Sequence, residues 1–352
     1  MSVTLTATDA AASGLQSRRY SGRAIATTVA AALVFTALLF LVTPLGGRVG
    51  FLLVGAVVVL AAVAAVSWRI EGRRKSVNRL VTIGAYAAMV IALIPLAAVL
   101  GYTVTRGLDR LRPAFLTHSM ANIGPLEAGG GVYHAIIGTL EQVGLASLVA
   151  VPLGLLVAIY ITEYGRGRLA NAIRFFIDVM TGIPSIVAGL FVFAFWVLGL
   201  HRGFSGLAAA LSLAVLMLPV VVRSSEEMIR LVPSSLREAS YALGVPKWRT
   251  ILSVVLPTAA TGITTGVMLA VARVTGETAP LLLTAGGNNF IHTNPFSGIQ
   301  SALPLFVFDQ TGRGVDAAVN RAWAAALTLI LIVVALYIAA RVLTRRNSLA
   351  SR

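Results

Sequence analysis

Apolar runs of about 20 residues recur along the chain, separated by short polar segments. They fall at roughly 24–44, 49–68, 80–102, 133–161, 175–200, 206–222, 258–284 and 321–343, and each is long enough to cross a bilayer as a helix. The pattern predicts an all-α polytopic membrane protein with about eight transmembrane helices. The first two runs are almost pure Ala, Val and Leu, which predicts an accessory, lipid-facing hairpin over 24–68. A basic linker at 69–79 separates it from the remainder. Nearly all embedded Gly, Pro, Thr and charge lies in 80–345. Membranes tolerate such residues where helices pack or a path is lined, so the working core is expected there. Residues 1–23 and 346–352 read as tails, the first of them disordered over 1–15. The apolar run that follows the first tail is too long for a signal-peptide core, which predicts an uncleaved anchor.

Composition agrees with the pattern. The chain has 352 residues, is 57% hydrophobic and 12% charged, and its mean hydropathy is +0.88. A soluble domain of this length cannot bury so much apolar surface. The net charge of +15 would suit a nucleic-acid partner, but its distribution argues for topology instead. Of the 28 Lys and Arg, 20 fall on the side that holds both termini and 7 on the other, with Arg273 inside a span. The positive-inside rule then places both termini in the cytoplasm of a multi-pass protein. The absence of cysteine excludes disulfides and thiolate metal sites. His118, His134, His201 and His292 have no metal-ligand spacing.

The run at 258–284 carries unusual chemistry. On a helix of 3.6 residues per turn, Thr261, Gly262, Thr265, Gly266, Ala272, Arg273, Gly276 and Glu277 share one face, with Leu269 as the large apolar intruder. Ile263, Val267, Val271, Val274 and Leu281 take the opposite arc. Arg273 and Glu277 are four residues apart and are expected to pair. A charge near the bilayer centre costs about 2.5–3.5 kcal/mol even on the forgiving insertion scale, so this face is expected to meet protein or water. Two readings stand. Either Arg273 meets an anion or gates its path, with Glu277 holding it and Thr265 and Thr278 adding hydroxyls, or the two charges form a buried pair that fixes helix register. A guanidinium suits phosphate or sulfate because its planar fork donates two bonds at once.

Weaker signals lie elsewhere. Asp178 precedes Pro184 and Ser185, a candidate break that would expose backbone to a pathway; an ordinary proline kink is the alternative. Glu141, at the start of the fourth run, fits the membrane interface. The glycines near Glu127 and at 286–287 are either anion-binding nests or flexible links, and the apolar stretch 304–308 is a candidate re-entrant segment. No catalytic dyad, nucleophile elbow or phosphate-binding Walker loop is present. The chain is therefore not expected to be an enzyme or to hold a cofactor, and an ATP-driven process would need a separate subunit.

Between the sixth and seventh runs, residues 223–257 contain Arg237-Glu238-Ala239-Ser240-Tyr241-Ala242-Leu243-Gly244 and Val254-Val255-Leu256-Pro257. The first of these also reads like a helix-turn-helix DNA-binding unit, but the loop is too short for such a domain. A surface helix pair is expected, with Ala239 and Ser240 keeping the helix thin and Gly244 ending it.

This loop resembles the cytoplasmic coupling loop of ABC importer permeases. Further segments are similar to the PstA-type permeases of bacterial high-affinity phosphate importers: Gly138-Thr139-Leu140, Val151-Pro152-Leu153-Gly154, Tyr160-Ile161-Thr162-Glu163-Tyr164, Gly182-Ile183-Pro184-Ser185-Ile186-Val187-Ala188-Gly189-Leu190, and above all Arg273-Val274-Thr275-Gly276-Glu277-Thr278-Ala279-Pro280-Leu281-Leu282. The resemblance spans about 80–345 and implies a six-helix importer core, to which the N-terminal hairpin is an addition. It implies a bacterial inner-membrane location, phosphate as substrate and a PstC-type permease as partner. It further implies two copies of a PstB-type ATPase that binds ATP and Mg, and delivery by a PstS-type binding protein. Glu238, Ala239, Ser240, Gly244, Leu256 and Pro257 would serve ATPase coupling, and Arg273, Glu277, Thr265 and Thr278 the path or gate. Nucleic acid is not an expected partner. Glu-Ala-Ser stands where the family prefers Glu-Ala-Ala. The alternatives are a permease for molybdate or sulfate, and a non-transporting scaffold in phosphate signalling.

Overall fold

The computed structural model describes residues 21–42 and 47–350, and side chains within these except at 48, 49, 52, 53 and 343–350. The expectations for 1–20 lie outside what is described, whereas the tail expected from 346 is helical as far as Ala350. Among the described residues the chain is helical, and one isolated bridge joins Gly286 to Gln300. Among the described residues seven helices are long and apolar enough to span a membrane, and a bent pair makes up to eight.

The described residues form two compact units divided between Val99 and Leu100. The first unit holds α1 (Gly22–Val42), α2 (Arg48–Glu71) and most of α3 (Arg73–Leu108). Thr36 and Gly55 touch where α1 and α2 pack, since small residues let membrane helices approach. The sequence places the unit boundary in a linker at 69–79, but that stretch is helical on both sides of Gly72. Gly72 has φ +85, and its N–H bonds Trp68 O, so a single residue turns the chain. An Arg79–Glu71 ion pair of 2.8 Å and a bond from Ser76 Oγ to Ala64 O (2.9 Å) fasten the corner.

The second unit is built around α8 (Gly206–Arg230), its most enclosed helix, which packs against α5 (Tyr133–Ile159) and α11 (Leu256–Thr275). Its first half is lined with Ala208, Ala209, Ala210, Ser212 and Ala214, all buried. The neighbours answer with glycine: a Cβ on Gly154 would stand 2.7 Å from Val221 Cγ1, and one on Gly262 or Gly266 would overlap Met228 or Ser224. These glycines face Val221, Ser224 and Met228 in the second half of α8, and their missing side chains bring the helices together where apolar side chains cannot separate protein from lipid. α13 (Leu303–Gly312) packs on α14 (Asp316–Ala350), and α14 also meets α11. The stretch 304–308 thus lies in a short helix with Pro304, Leu305 and Phe306 buried.

Two of the expected spans are broken, one at the candidate break before Pro184 and one that was expected to run through. The run 175–200 is α6 (Arg168–Thr181) and α7 (Ser185–Val192), the latter prolonged by a π-helical turn to Gly199, with a bend of 107° at 182–184. The run 258–284 is α11 followed by α12 (Ala279–Thr284), with 276–278 between them. Both breaks share one cause. Pro184 and Pro280 lack the N–H that would continue the ladder, and their rings collide with the preceding turn. The last N–H groups bond three residues back instead, Gly182 to Val179 O at 3.1 Å and Glu277 to Val274 O at 3.1 Å. The two broken elements then meet, since α7 packs on α12 and a Cβ on Gly189 would lie 2.6 Å from Pro280 Cα.

Candidate translocation and coupling site

α11 separates its faces much as the periodicity predicts. Val271, Val274 and, beyond the break, Leu281 are buried in the main apolar cluster, whereas Thr261, Thr265, Leu269, Arg273 and Gly276 are exposed. Leu269 is 67% exposed, so nothing among the described residues covers the middle of that face. Gly262 and Gly266 depart from the expectation: they serve the close approach to α8. Thr265 turns its hydroxyl back to Thr261 O at 2.8 Å. The face is a hydroxyl-bearing strip on a membrane helix, with Arg273 in its last turn, a favourable place for a cation.

Arg273 and Glu277 do not form the expected pair. Among the described residues, no ion pair or side-chain hydrogen bond joins either of them to another group. The helix stops at Thr275, so Glu277 is carried off the i+4 position by the break. Thr278 precedes α12, and its carbonyl accepts from Leu281 N (3.1 Å) and Leu282 N (3.2 Å). The guanidinium, an exposed cation next to broken backbone, is left free to meet an anion or a partner chain.

At the other end of the bundle, α9 (Ser234–Ala242) and α10 (Lys247–Thr250) form the predicted surface helix pair. Gly244 makes the turn with φ +75, a conformation that favours glycine. Glu238 and Ala239 are exposed, beside the exposed apolar side chains Leu236, Tyr241, Leu243 and Trp248. Ser240 points inward and meets Thr250 Oγ1 at 2.8 Å, stapling the two helices. Its hydroxyl has a role beyond being small. Leu256, the first residue of α11, packs against the cluster of Ile229, Val255 and Ala259, and Pro257 is the second residue of that helix, so neither belongs to the exposed face of α9. Arg237 anchors α9 to the end of α5: its guanidinium holds Glu163 at 2.9 Å and donates to Val232 O and Ile229 O at 2.6 and 2.9 Å. Lys247 donates to Glu163 O and stands 4.8 Å over the Tyr164 ring.

Residues 150–349 match the family of binding-protein-dependent transport system inner membrane components. The chain belongs to this family. It is 47% identical to the phosphate transport system permease protein PstA 1 of Mycobacterium tuberculosis over 282 residues, 79% of this chain and 92% of the relative. The PstA proteins of Mycobacterium leprae and Yersinia pestis are 46% and 41% identical, over 75% and 77% of this chain and 87% and 90% of theirs. A solved chain of a bacterial ABC transporter importing the polysaccharide alginate shares the fold, with a TM-score of 0.53 at 15% identity, over 77% of this chain and 98% of that one. The protein is a multi-pass inner-membrane permease.

The permease has two further polar clusters that sequence reading missed. Glu226, 2% exposed, is held by Arg223 (3.1 Å), Arg174 (3.4 Å) and Arg230, and Arg223 also reaches Asp178. Asp178 therefore ties α6 to α8 just before the bend, Pro184 caps α7 and Ser185 is its first residue. The i−3 and i+4 spacing of Arg223 and Arg230 around Glu226 was legible, but only if α8 is carried past residue 222. At the opposite end, Gln142 and Gln300 bond at 3.0 Å, and Gln300 also donates to Glu141 and to His292 O. Thr139 Oγ1 accepts from Leu303 N at 2.7 Å, and Gly138 lies so close to Ser301 O that a Cβ would overlap it.

Arg321 is fully buried. It donates to Gln310 Oε1 (2.8 Å) and to the carbonyls of Glu127 (2.6 Å), Pro125 (2.9 Å) and Gly129 (3.2 Å). The glycine-rich loop thus offers carbonyl oxygens to a cation, the reverse of an anion nest.

Proposed function

We propose that this chain is the permease subunit of an ATP-driven phosphate importer, supplying half of the path and coupling through α9 to a separate ATPase. The observation that carries the proposal is the strip on α11, where Arg273 ends a hydroxyl-bearing face turned away from its own bundle and has no acidic partner among the described residues. A strip of this kind is expected to line a water-filled path closed by a second permease of PstC type. The names and high identity of the PstA relatives support phosphate as its cargo. With 20 of 28 basic residues on one side, the positive-inside rule puts both termini and 231–255 in the cytoplasm. Leu243, Tyr241 and Trp248 then form an apolar surface for a PstB-type ATPase, on which ATP and Mg bind. A PstS-type protein would deliver phosphate to the far end. Glu238, Ala239 and Gly244 shape the docking surface, while Arg237, Lys247 and Glu163 would pass its movement to α5. Glu277, Thr278 and Thr265 are assigned to the path.

The test is competition in proteoliposomes holding the chain with its partner subunits and ATP on the ATPase side. Labelled phosphate uptake should depend on ATP and resist a tenfold excess of molybdate or sulfate. Uptake blocked by either anion would reassign the cargo. ATP hydrolysis without uptake of any of the three would leave the scaffold reading.

A further inference from the structure

The end of the bundle opposite α9 contains a cleft of about 780 Å³ that no step above uses. Arg106, Asp109, Arg110 and Arg112 line it, from the last turn of α3 to the start of α4 (Pro113–Thr117), and His118 and Ser119 close one side. Three guanidiniums face a single carboxylate, and Asp109 forms no ion pair among the described residues. Arg112 is exposed, and its guanidinium has no hydrogen bond or ion pair among the described residues. Arg106 lies 5.3 Å over the Tyr102 ring, which orients its head without using a donor. Tyr102 is itself set edge-on against Trp323 at 4.9 Å.

Arg110 is the fixed member. It donates to Gly129 O at 2.7 Å and to Ala128 O, while its Nε is shielded from solvent and without a partner among the described residues. Burial and, after it, the nearby charge of Arg112 pull the Arg110 guanidinium below its ordinary pKa. Like charges held together with one carboxylate between them leave an unbalanced positive field. Arg321 pins the same loop from behind through three carbonyls, so the cleft wall is held from two sides.

We propose that this cleft is a binding site for a phosphate-type oxyanion, separate from the Arg273 strip. A carboxylate offers two oxygens to one fork, whereas a tetrahedral oxyanion can spread its oxygens over several guanidiniums and the Ser119 hydroxyl. Both inorganic phosphate and an anionic lipid headgroup present that chemistry. The proposal does not rest on the transport reading.

The test is equilibrium binding of labelled inorganic phosphate to the full permease–ATPase complex, without ATP or binding protein, in phosphatidylcholine nanodiscs. Arg106→Gln with Arg112→Gln should weaken binding at least tenfold, whereas Arg273→Gln should retain it. Among the described residues neither Arg106 nor Arg112 makes a side-chain hydrogen bond that builds the fold, and an unchanged unfolding temperature would check this. In discs containing phosphatidylglycerol, retention of that lipid by the wild type and its loss in the double variant would support the same site with a headgroup as occupant. Equal phosphate binding and equal lipid retention in wild type and double variant would overturn the proposal. So would phosphate binding that disappears with Arg273→Gln alone. Absence of ATP-driven uptake by the wild-type complex, with cleft binding intact, would count against the transport reading only.

Discussion

Gly189→Val is expected to abolish phosphate uptake while leaving the complex assembled. Gly189 lies where α7, after the 107° bend, crosses α12, after the break at 276–278. Even an alanine Cβ would lie 2.6 Å from Pro280 Cα and 3.0 Å from Pro280 O. Both are backbone atoms of a residue whose φ is fixed by its ring, so the neighbour cannot yield by a rotamer change. Overpacking costs about 1–3 kcal/mol where side chains can adjust, and valine against rigid backbone belongs at the upper end. A shift of about 3 kcal/mol between two states changes their ratio by roughly a hundredfold. The contact at risk holds the segment that follows Arg273, so the loss should appear in the initial rate of ATP-driven uptake. Size-exclusion elution should remain that of the wild type, because α9 and α10 are untouched. Uptake within twofold of wild type would show that the two broken helices need not stay in contact.

Arg321→Met should be the most destabilising single change at the opposite end. The wild-type side chain is fully buried and gives four hydrogen bonds, three of them to the carbonyls of 125, 127 and 129. Methionine fills similar volume but leaves those acceptors and Gln310 unpaired. Hydrogen bonds to a charged group contribute roughly 1.5–3 kcal/mol each, and orphaned acceptors cost about as much. Since water can reach the exposed part of the loop, a net loss of about 2–4 kcal/mol is expected. At about 2.1 cal/mol/K of unfolding entropy per residue over the 352 residues, the unfolding midpoint of the solubilised complex should fall by roughly 3–5 °C. Arg321→Lys should recover less than half of it, because an ammonium cannot span a side-chain amide and three carbonyls as a planar fork does. A midpoint unchanged in Arg321→Met would mean that the loop is held by other contacts.

What could be read from the sequence follows from which forces are local. The two faces of α11 were legible because burial repeats every 3.6 residues, and Val271 and Val274 are indeed inside while Thr265 and Arg273 are not. The turn at Gly244 and the thin helix before it were also legible, since a positive φ and a close-packed surface helix limit residue choice. The breaks were half legible. Pro184 was noted as a candidate break, but Pro280 was read through, and with it the Arg273–Glu277 pair, because apolar runs do not record where the ladder ends. Arg321, Gln142 and Gln300 could not be found this way. Their partners lie 8 to 196 residues away, and only the packed bundle brings them together. Ser240 taught the same lesson on a smaller scale: its size was read correctly, its bond to Thr250 was not.

The central claim is that the outward strip of α11, ending in Arg273, carries the anion through an ATP-driven importer. The measurement that tests it most directly compares wild type with Arg273→Gln in the same proteoliposomes, following ATP hydrolysis and phosphate uptake together. The account predicts ATPase activity within about twofold of wild type and uptake reduced at least tenfold, roughly the 1.4 kcal/mol or more of one lost charged contact. Wild-type uptake by Arg273→Gln would contradict it and move the path to another face of the bundle.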